Sequence, residues 1–228
     1  MVSPNLEAAQ AAEVRRFLAS DSALEGPFRA LADKLLSLAG PVVRSVAVTG
    51  PEAGVGRSSV CLGLGAALAA LGNRVAVVDC NLNRPHLHRL FGRSNFTGLT
   101  NALENGRSPE LYAFEAAPGL CVVPTGPVLP GSAQAAASER LAGAVRALRE
   151  TRDVVLLDAP VAGRMLESPV LSDGLDGVLL VVHATRTPKS VARRVTDDLL
   201  DAGINLLGVV LNGYSASLRP TLGETHDG

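Results

Sequence analysis

Residues 42–72 read VVRSVAVTGPEAGVGRSSVCLGLGAALAALG. A Val-rich run, 42–50, enters a glycine-bearing turn. An Ala/Leu-rich run, 58–72, leaves it with Ser at its start and Gly at its end. These are strand, loop and helix signals in order. Such a junction suits a phosphate: glycines let the backbone come close, N–H groups point at the anion, and the helix adds the positive end of its dipole. Gly54 and Gly56 are the close-approach positions here, the N–H groups of 54–59 the donors, and Ser58 stands where a hydroxyl ligates Mg²⁺. The full loop pattern is G-x-x-x-x-G-K-[ST]. Counted from Gly56, its first glycine position holds Pro51 and its lysine position holds Arg57, so two of the four fixed positions differ. The loop alone leaves open an ordinary glycine-rich strand-to-helix turn.

Further apolar runs lie outward from this junction: RVAVVD (74–79), GLCVVPTG (119–126), DVVLLDAP (153–160), GVLLVVHA (177–184) and LLGVVLN (206–212). They are near-continuous in Val and Leu, as expected of strands covered on both faces of a parallel sheet. SERLAGAVRALRE (138–150) and SVARRVTDDLLDAG (190–203) place apolar residues at three- and four-residue spacing, the signature of helices with one buried face. The alternation predicts an α/β domain, a mostly parallel sheet with helices on both faces. The expected division is an N-terminal helical arm (1–40), a P-loop domain (41–215) and a flexible tail (216–228).

Composition narrows the function classes. The net charge of −1 gives no basic face, so nucleic acid is not an expected partner. No apolar run reaches the ~18–20 residues of a membrane span, and the first twenty residues lack a signal-peptide pattern. A cytoplasmic protein is expected. Cys61, Cys80 and Cys121 follow no metal-ligand spacing and read as buried apolar residues. His86 and His88 read as surface residues.

Two carboxylates sharpen the reading of the loop. Asp79 ends the run 74–79 and Asp158 ends the run 153–158. Ligands of open α/β sheets bind at the carboxyl ends of strands, and Mg²⁺-nucleotide chemistry needs oxygen ligands there. An acid at a strand end is often only a turn former. Two beside a glycine-rich loop point to a nucleotide site.

Together the loop, VDCNLNRP (78–85) and LLDAP (156–160) resemble the bacterial tyrosine kinases of capsule and exopolysaccharide systems, which belong to the deviant P-loop group that includes the MinD and ParA ATPases. PFRALADKL (27–35), RPHLHRLFG (84–92), GLTNALENG (98–106), CVVPTGPVLPG (121–131) and LGVVLNGY (207–214) resemble further segments of that family, in the same order. MinD and ParA proteins carry a signature lysine five residues before the loop lysine. Glu52 occupies that position here, which places the resemblance with the kinase branch.

The resemblance implies ATP or ADP with Mg²⁺, bound by Ala53, Gly54, Val55, Gly56, Arg57, Ser58, Ser59 and Asn212. Ser58, Asp79 and Asp158 would serve the metal. Asp79 is the implied base, with Arg57 in the place of the catalytic lysine. It also implies a membrane-embedded polysaccharide co-polymerase or adaptor, or an intact kinase paralogue, as partner, and with it a peripheral place at the inner membrane through that partner.

Departures from the family pattern are equally specific. Arg57 replaces lysine, and Asn81 replaces the second aspartate of an Asp-x-Asp motif. The arm keeps Arg29 but has Gly26 and Ala32 where the family has Glu and Arg, which argues against a homo-oligomeric ring. Of the family's C-terminal tyrosine cluster, Tyr214 is what the sequence holds. The expectation is a kinase-like P-loop protein weakened in phosphoryl transfer that regulates by docking. The alternatives are an active autokinase using Arg57, and a MinD- or ParA-like positioning ATPase.

Overall fold

The structure is a computed structural model and describes residues 26–38, 43–167 and 175–214. Among the described residues seven strands form one sheet: β1 (Ser45–Thr49), β2 (Val75–Asp79), β3 (Phe114–Ala117), β4 (Leu120–Val123), β5 (Val154–Asp158), β6 (Gly177–His183) and β7 (Leu206–Asn212). Their order across the sheet is β3-β4-β2-β5-β1-β6-β7. All neighbours run parallel except β3 against β4. β1 therefore lies between β5 and β6, and the loop that follows it emerges mid-sheet at the carboxyl edge.

The inner strands β1, β2, β4 and β5 are buried at every position. This is why they appear in the sequence as unbroken apolar runs rather than alternating ones. Successive side chains nevertheless serve opposite faces. Ala47, Ala76, Val78, Val155 and Leu157 pack into one core layer. Val46, Val48, Val75, Val77 and Leu156 pack into the other.

The helices among the described residues are α1 (Pro27–Ser37), α2 (Arg57–Ala70), α3 (Leu87–Leu90), α4 (Leu99–Asn105), α5 (Gly131–Thr151), α6 (Ala162–Leu166) and α7 (Lys189–Asp201). Leu103, Leu148, Met165 and Leu199 bring α4, α5, α6 and α7 onto the first layer. Leu35, Leu64 and Leu87 bring α1, α2 and α3 onto the second. The α/β architecture with helices on both faces stands as the sequence predicts.

Three details differ from the sequence expectations. β3 is an additional antiparallel edge strand. α3, α4 and α6 are short helices within stretches that carry no clear periodicity. α5 begins at Gly131, seven residues ahead of the predicted 138. Of the arm, α1 falls within the described residues, with Pro27 at its first turn and Ala32 and Leu35 buried. Phe28 lies on α2 at Gly63, where an added Cβ would come within 2.4 Å of the ring. The remainder of the arm and the tail from 216 lie outside the described residues.

Candidate functional site

The loop after β1 is held by its neighbours on both sides. Gly50 permits close packing: a Cβ there would meet Val55 Cγ2 at 2.7 Å and the Val181 carbonyl at 2.8 Å. Val55 is fully buried and anchors the loop in the core. Gly56 has φ +94°, in the left-handed region that side chains avoid. A Cβ on it would fall 1.9 Å from Asn212 Nδ2. Asn212, at the end of β7, donates from Nδ2 to the Val55 carbonyl at 2.8 Å. It thus supports the loop directly.

α2 starts at Arg57 with no side chain capping it and no acid in its first turn. Its leading N–H groups have no carbonyl one turn earlier to bond, so the helix end keeps its positive character toward the cleft in front of it. That cleft encloses about 690 Å³ and is lined by the loop (Gly54, Gly56, Arg57, Ser58 and Ser59) and by the segment after β2. The latter contributes Asn81, Asn83, Arg84, Pro85, His86 and Arg89, and Val128 completes the wall. Among the described residues, three arginines and a histidine line the space and no carboxylate side chain does. The chemistry is that of an anion site.

Behind the loop stand the two aspartates, whose Cα atoms pair across β2 and β5. Asp158 accepts a 2.6 Å hydrogen bond from the Ser58 hydroxyl. Burial, then the neighbouring Asp79 charge, push its carboxyl up to about 7, opposed by the Ser58 hydrogen bond and Arg57. Asp79 is fully buried. Its Oδ1 accepts from the Asn81 N–H at 3.1 Å, and its Oδ2 accepts from the His86 and Leu87 N–H groups at 2.9 and 3.0 Å. Burial raises the Asp79 carboxyl, and these three donors work against that rise. In this conformation Asp79 shapes the turn that presents Arg84, His86 and Arg89.

Arg57 reaches backward across the sheet. Its Nη1 donates to the Ala159 carbonyl at 2.7 Å. The segment it grips is fixed by two further bonds: Ala159 N–H to Val48 O at 3.0 Å and Thr49 Oγ1 to Pro160 O at 2.6 Å. Burial lowers the guanidinium pKa from its ordinary value, and Asp158 and Asp79 act to restore it.

Of the residues singled out from sequence, Gly54, Gly56, Arg57, Ser58 and Ser59 line the cleft, and Ser58 meets Asp158. Ala53 is exposed on the loop. Val55, Asp79, Asp158 and Asn212 lie behind or beside the cleft wall. Cys61, Cys80 and Cys121 are all buried thiols, as expected. The sequence reading missed the cleft roles of Arg84, His86 and Arg89, although their clustering just after Asp79 was a signal. It also missed Arg186.

A parallel sheet, a glycine loop feeding a helix N-terminus and paired strand-end aspartates define a P-loop NTPase domain. A family model described as cellulose biosynthesis protein BcsQ matches residues 43–198, and the chain belongs to that family. Among curated proteins it is 31% identical over 168 residues to EpsB of Ralstonia solanacearum, a tyrosine-protein kinase by name. That match covers 73% of this chain and 22% of EpsB, so the chain spans about a fifth of that relative's length. With the tyrosine-protein kinase YwqD of Bacillus subtilis it shares 28% identity over 183 residues, covering 79% of this chain and 77% of YwqD.

Solved structures agree on the fold. The kinase domain of Escherichia coli tyrosine kinase ETK superposes with a TM-score of 0.75 at 23% identity, covering 85% of this chain and 76% of that one. MinD of Pyrococcus horikoshii, complexed with Mg-ADP, gives a TM-score of 0.63 at 22% identity, over 78% and 74% of the two chains. The resemblance to bacterial tyrosine kinases and MinD-type ATPases drawn from the motifs therefore holds.

Proposed function

We propose that this chain binds a Mg-nucleotide, ATP or ADP, on the 50–59 loop. We further propose that it serves polysaccharide synthesis or export as a tyrosine-kinase-like protein with weakened phosphoryl transfer, acting by docking on a membrane partner. The observation that carries the reading is the position of Arg57. Its guanidinium, in the place of the phosphate-reaching lysine, is tied by Nη1 to the Ala159 carbonyl at the carboxyl end of β5. Lysine would offer a compact mobile charge, whereas this planar fork is already oriented by one partner. Phosphoryl transfer depends on positioning and charge stabilisation almost alone.

The residues present fit a phosphate group. Gly56 holds a left-handed backbone with no room for a Cβ against Asn212, the end of α2 is uncapped, and among the described residues the cleft lining carries cations without carboxylates. They also fit Mg²⁺: Ser58 and Asp158 place two oxygen ligands together, with Asp79 on the next strand. The metal would neutralise charge on the phosphates. Asn81, one of the cleft residues, supplies an amide where a carboxylate would strengthen its hold. The loop N–H groups and α2 would bind the phosphates, and Ser58 and Asp158 would orient the metal side. The protein named as complexed with Mg-ADP shares the fold, and the family description supplies the polysaccharide context.

Calorimetric titration with ADP, with and without Mg²⁺, tests the first part. Saturable binding that strengthens with Mg²⁺ is expected. Transfer of labelled γ-phosphate from ATP to protein tyrosine tests the second, and a rate within tenfold of an intact kinase domain would sink the weakened-enzyme reading.

A further inference from the structure

We infer that Arg186 is a positioning residue for the phosphate loop. It lies in the turn between β6 and α7 and acts on a segment 132 residues earlier in the chain. The inference rests on the loop being a nucleotide site, and deepens that reading by naming what holds the loop in shape from outside.

Arg186 Nη2 donates to the Gly54 carbonyl. Asn212 Nδ2 donates to the carbonyl of the next residue, Val55, at 2.8 Å. In a trans peptide unit the C=O and the following N–H point in opposite directions. Drawing the Gly54 and Val55 carbonyls toward Arg186 and Asn212 therefore turns the N–H groups of Val55 and Gly56 the other way. Gly54 and Gly56 line the cleft and Val55 is fully buried, so the Gly56 N–H is the one turned as an anion in the cleft requires, and Arg186 fixes the peptide plane that precedes it.

The turn that carries Arg186 is itself braced. Thr187 Oγ1 donates to Glu52 Oε1 at 3.2 Å and accepts the His183 N–H at 3.0 Å. The Thr187 N–H bonds the His183 carbonyl at 3.0 Å. The Ala184 N–H donates to the Asn212 carbonyl at 2.8 Å, joining the two supports to each other. Gly213 packs against the His183 ring, where a Cβ would come within 2.6 Å. The loop is thus gripped at Glu52, Gly54 and Val55 by one connected unit at the carboxyl ends of β6 and β7. Among the described residues Arg186 is the charged donor on the loop backbone within that unit, and hydrogen bonds from charged donors are stronger than neutral ones. A loop that has Pro51 at its first glycine position obtains in this way an external hold on its peptide planes.

The test compares the wild type with Arg186→Ala and Arg186→Lys. Backbone ¹⁵N relaxation at Gly54, Val55 and Gly56 is measured in nucleotide-free protein, and affinities for pyrophosphate and Mg-ADP by calorimetry. Arg186→Ala is expected to lower the order parameters of these three amides. It should weaken pyrophosphate and Mg-ADP by the same factor, about tenfold for loss of one charge-assisted hydrogen bond. Arg186→Lys, which keeps a charged donor, should recover most of both. The melting temperature should not move, since Arg186 is exposed. Unchanged order parameters in Arg186→Ala overturn the inference whatever happens to ligand binding. A loss of Mg-ADP affinity without loss of pyrophosphate affinity also overturns it. Absence of Mg-ADP binding by the wild type would sink the nucleotide reading, while the relaxation data would still decide the role of Arg186.

Discussion

The Ser58 hydroxyl donates a 2.6 Å hydrogen bond to Oδ2 of Asp158, joining the first turn of α2 to the end of β5. The bond makes Asp158 an acceptor, yet the carboxyl is pushed up to about 7, by burial first and by Asp79 second. The folded state thus holds a proton that the unfolded chain releases near pH 4.

Stability of the metal-free protein should therefore fall with rising pH. A carboxyl whose pKa is raised on folding makes the native state bind more protons between about 4 and about 7. Stability is greatest at the acid end of that window and declines as pH rises through it. Asp79, also raised by burial, acts in the same direction. Melting temperatures in EDTA at pH 5 and pH 8 should differ by several degrees, at about 2–4 °C per kcal/mol for a domain of this size. Asp158→Asn, which keeps an oxygen for Ser58 to bond, should flatten most of that slope. A wild-type melting point that rises steadily from pH 5 to 8 would contradict it.

Restoring the two altered positions should raise chemistry more than binding. Arg57→Lys frees the loop from the Ala159 carbonyl and supplies the compact charge. Asn81→Asp returns a carboxylate to the cleft wall. Mispositioning one charge-stabilising group costs on the order of 10²–10³ in rate. The double variant should gain on that scale in phosphoryl transfer from Mg-ATP, with an ADP affinity within about tenfold of wild type. Single-turnover assays beside calorimetry separate the two quantities. No gain would place the limitation elsewhere, in loop shape or in assembly.

What was legible in the sequence follows from burial. The inner strands are covered on both faces, so their apolar runs announce them and their order with the helices announces the fold. β3, FEAA, sits at the sheet edge and is not buried at any position, so it carries no such run. Helices of four to seven residues, as at 87–90, 99–105 and 162–166, are too short for a 3.6-residue period to register. The front of α5, GSAQAAA, has no apolar stripe to mark it. At the site, Gly54, Gly56 and Ser58 were readable because their contribution is local. Arg186 was not, because its partner is Gly54, far away in the chain and beside it only once β1 and β6 pair. Arg57 was visible as an oddity, but its grip on Ala159 depends on β5 lying next to β1.

Gly56→Ala should abolish anion binding while leaving the fold in place. The residue combines φ +94° with a Cβ position 1.9 Å from Asn212 Nδ2. Both the backbone and the neighbouring side chain must move. Asn212→Ala in the same chain removes the collision but not the backbone strain, and it gives up the hydrogen bond to the Val55 carbonyl, so it should return only part of the affinity for pyrophosphate. Full recovery would mean that the collision alone matters, and no loss in the single variant would mean that the cradle is not where the anion sits.

Gly63→Ala should loosen the N-terminal helix from the domain. A Cβ at Gly63 would meet the Phe28 ring at 2.4 Å, and Phe28 belongs to α1, whose Ala32 and Leu35 are buried in the same core layer. The ring cannot remain seated, and overpacking of this kind costs about 1–3 kcal/mol. Phe28→Ala removes packing area instead, and because the ring is partly buried the cost should fall below the roughly 3–5 kcal/mol of a fully buried phenylalanine. The two changes act on one contact, so they should not add. In the double variant the new methyl meets no ring, and its stability should match Phe28→Ala alone within about 0.5 kcal/mol. Urea denaturation of the four proteins supplies the cycle. Strict additivity would show that α1 and α2 do not pack through this pair. Protection of α1 amides in hydrogen exchange, compared between wild type and Gly63→Ala, then reports whether the helix has detached or the whole domain has weakened.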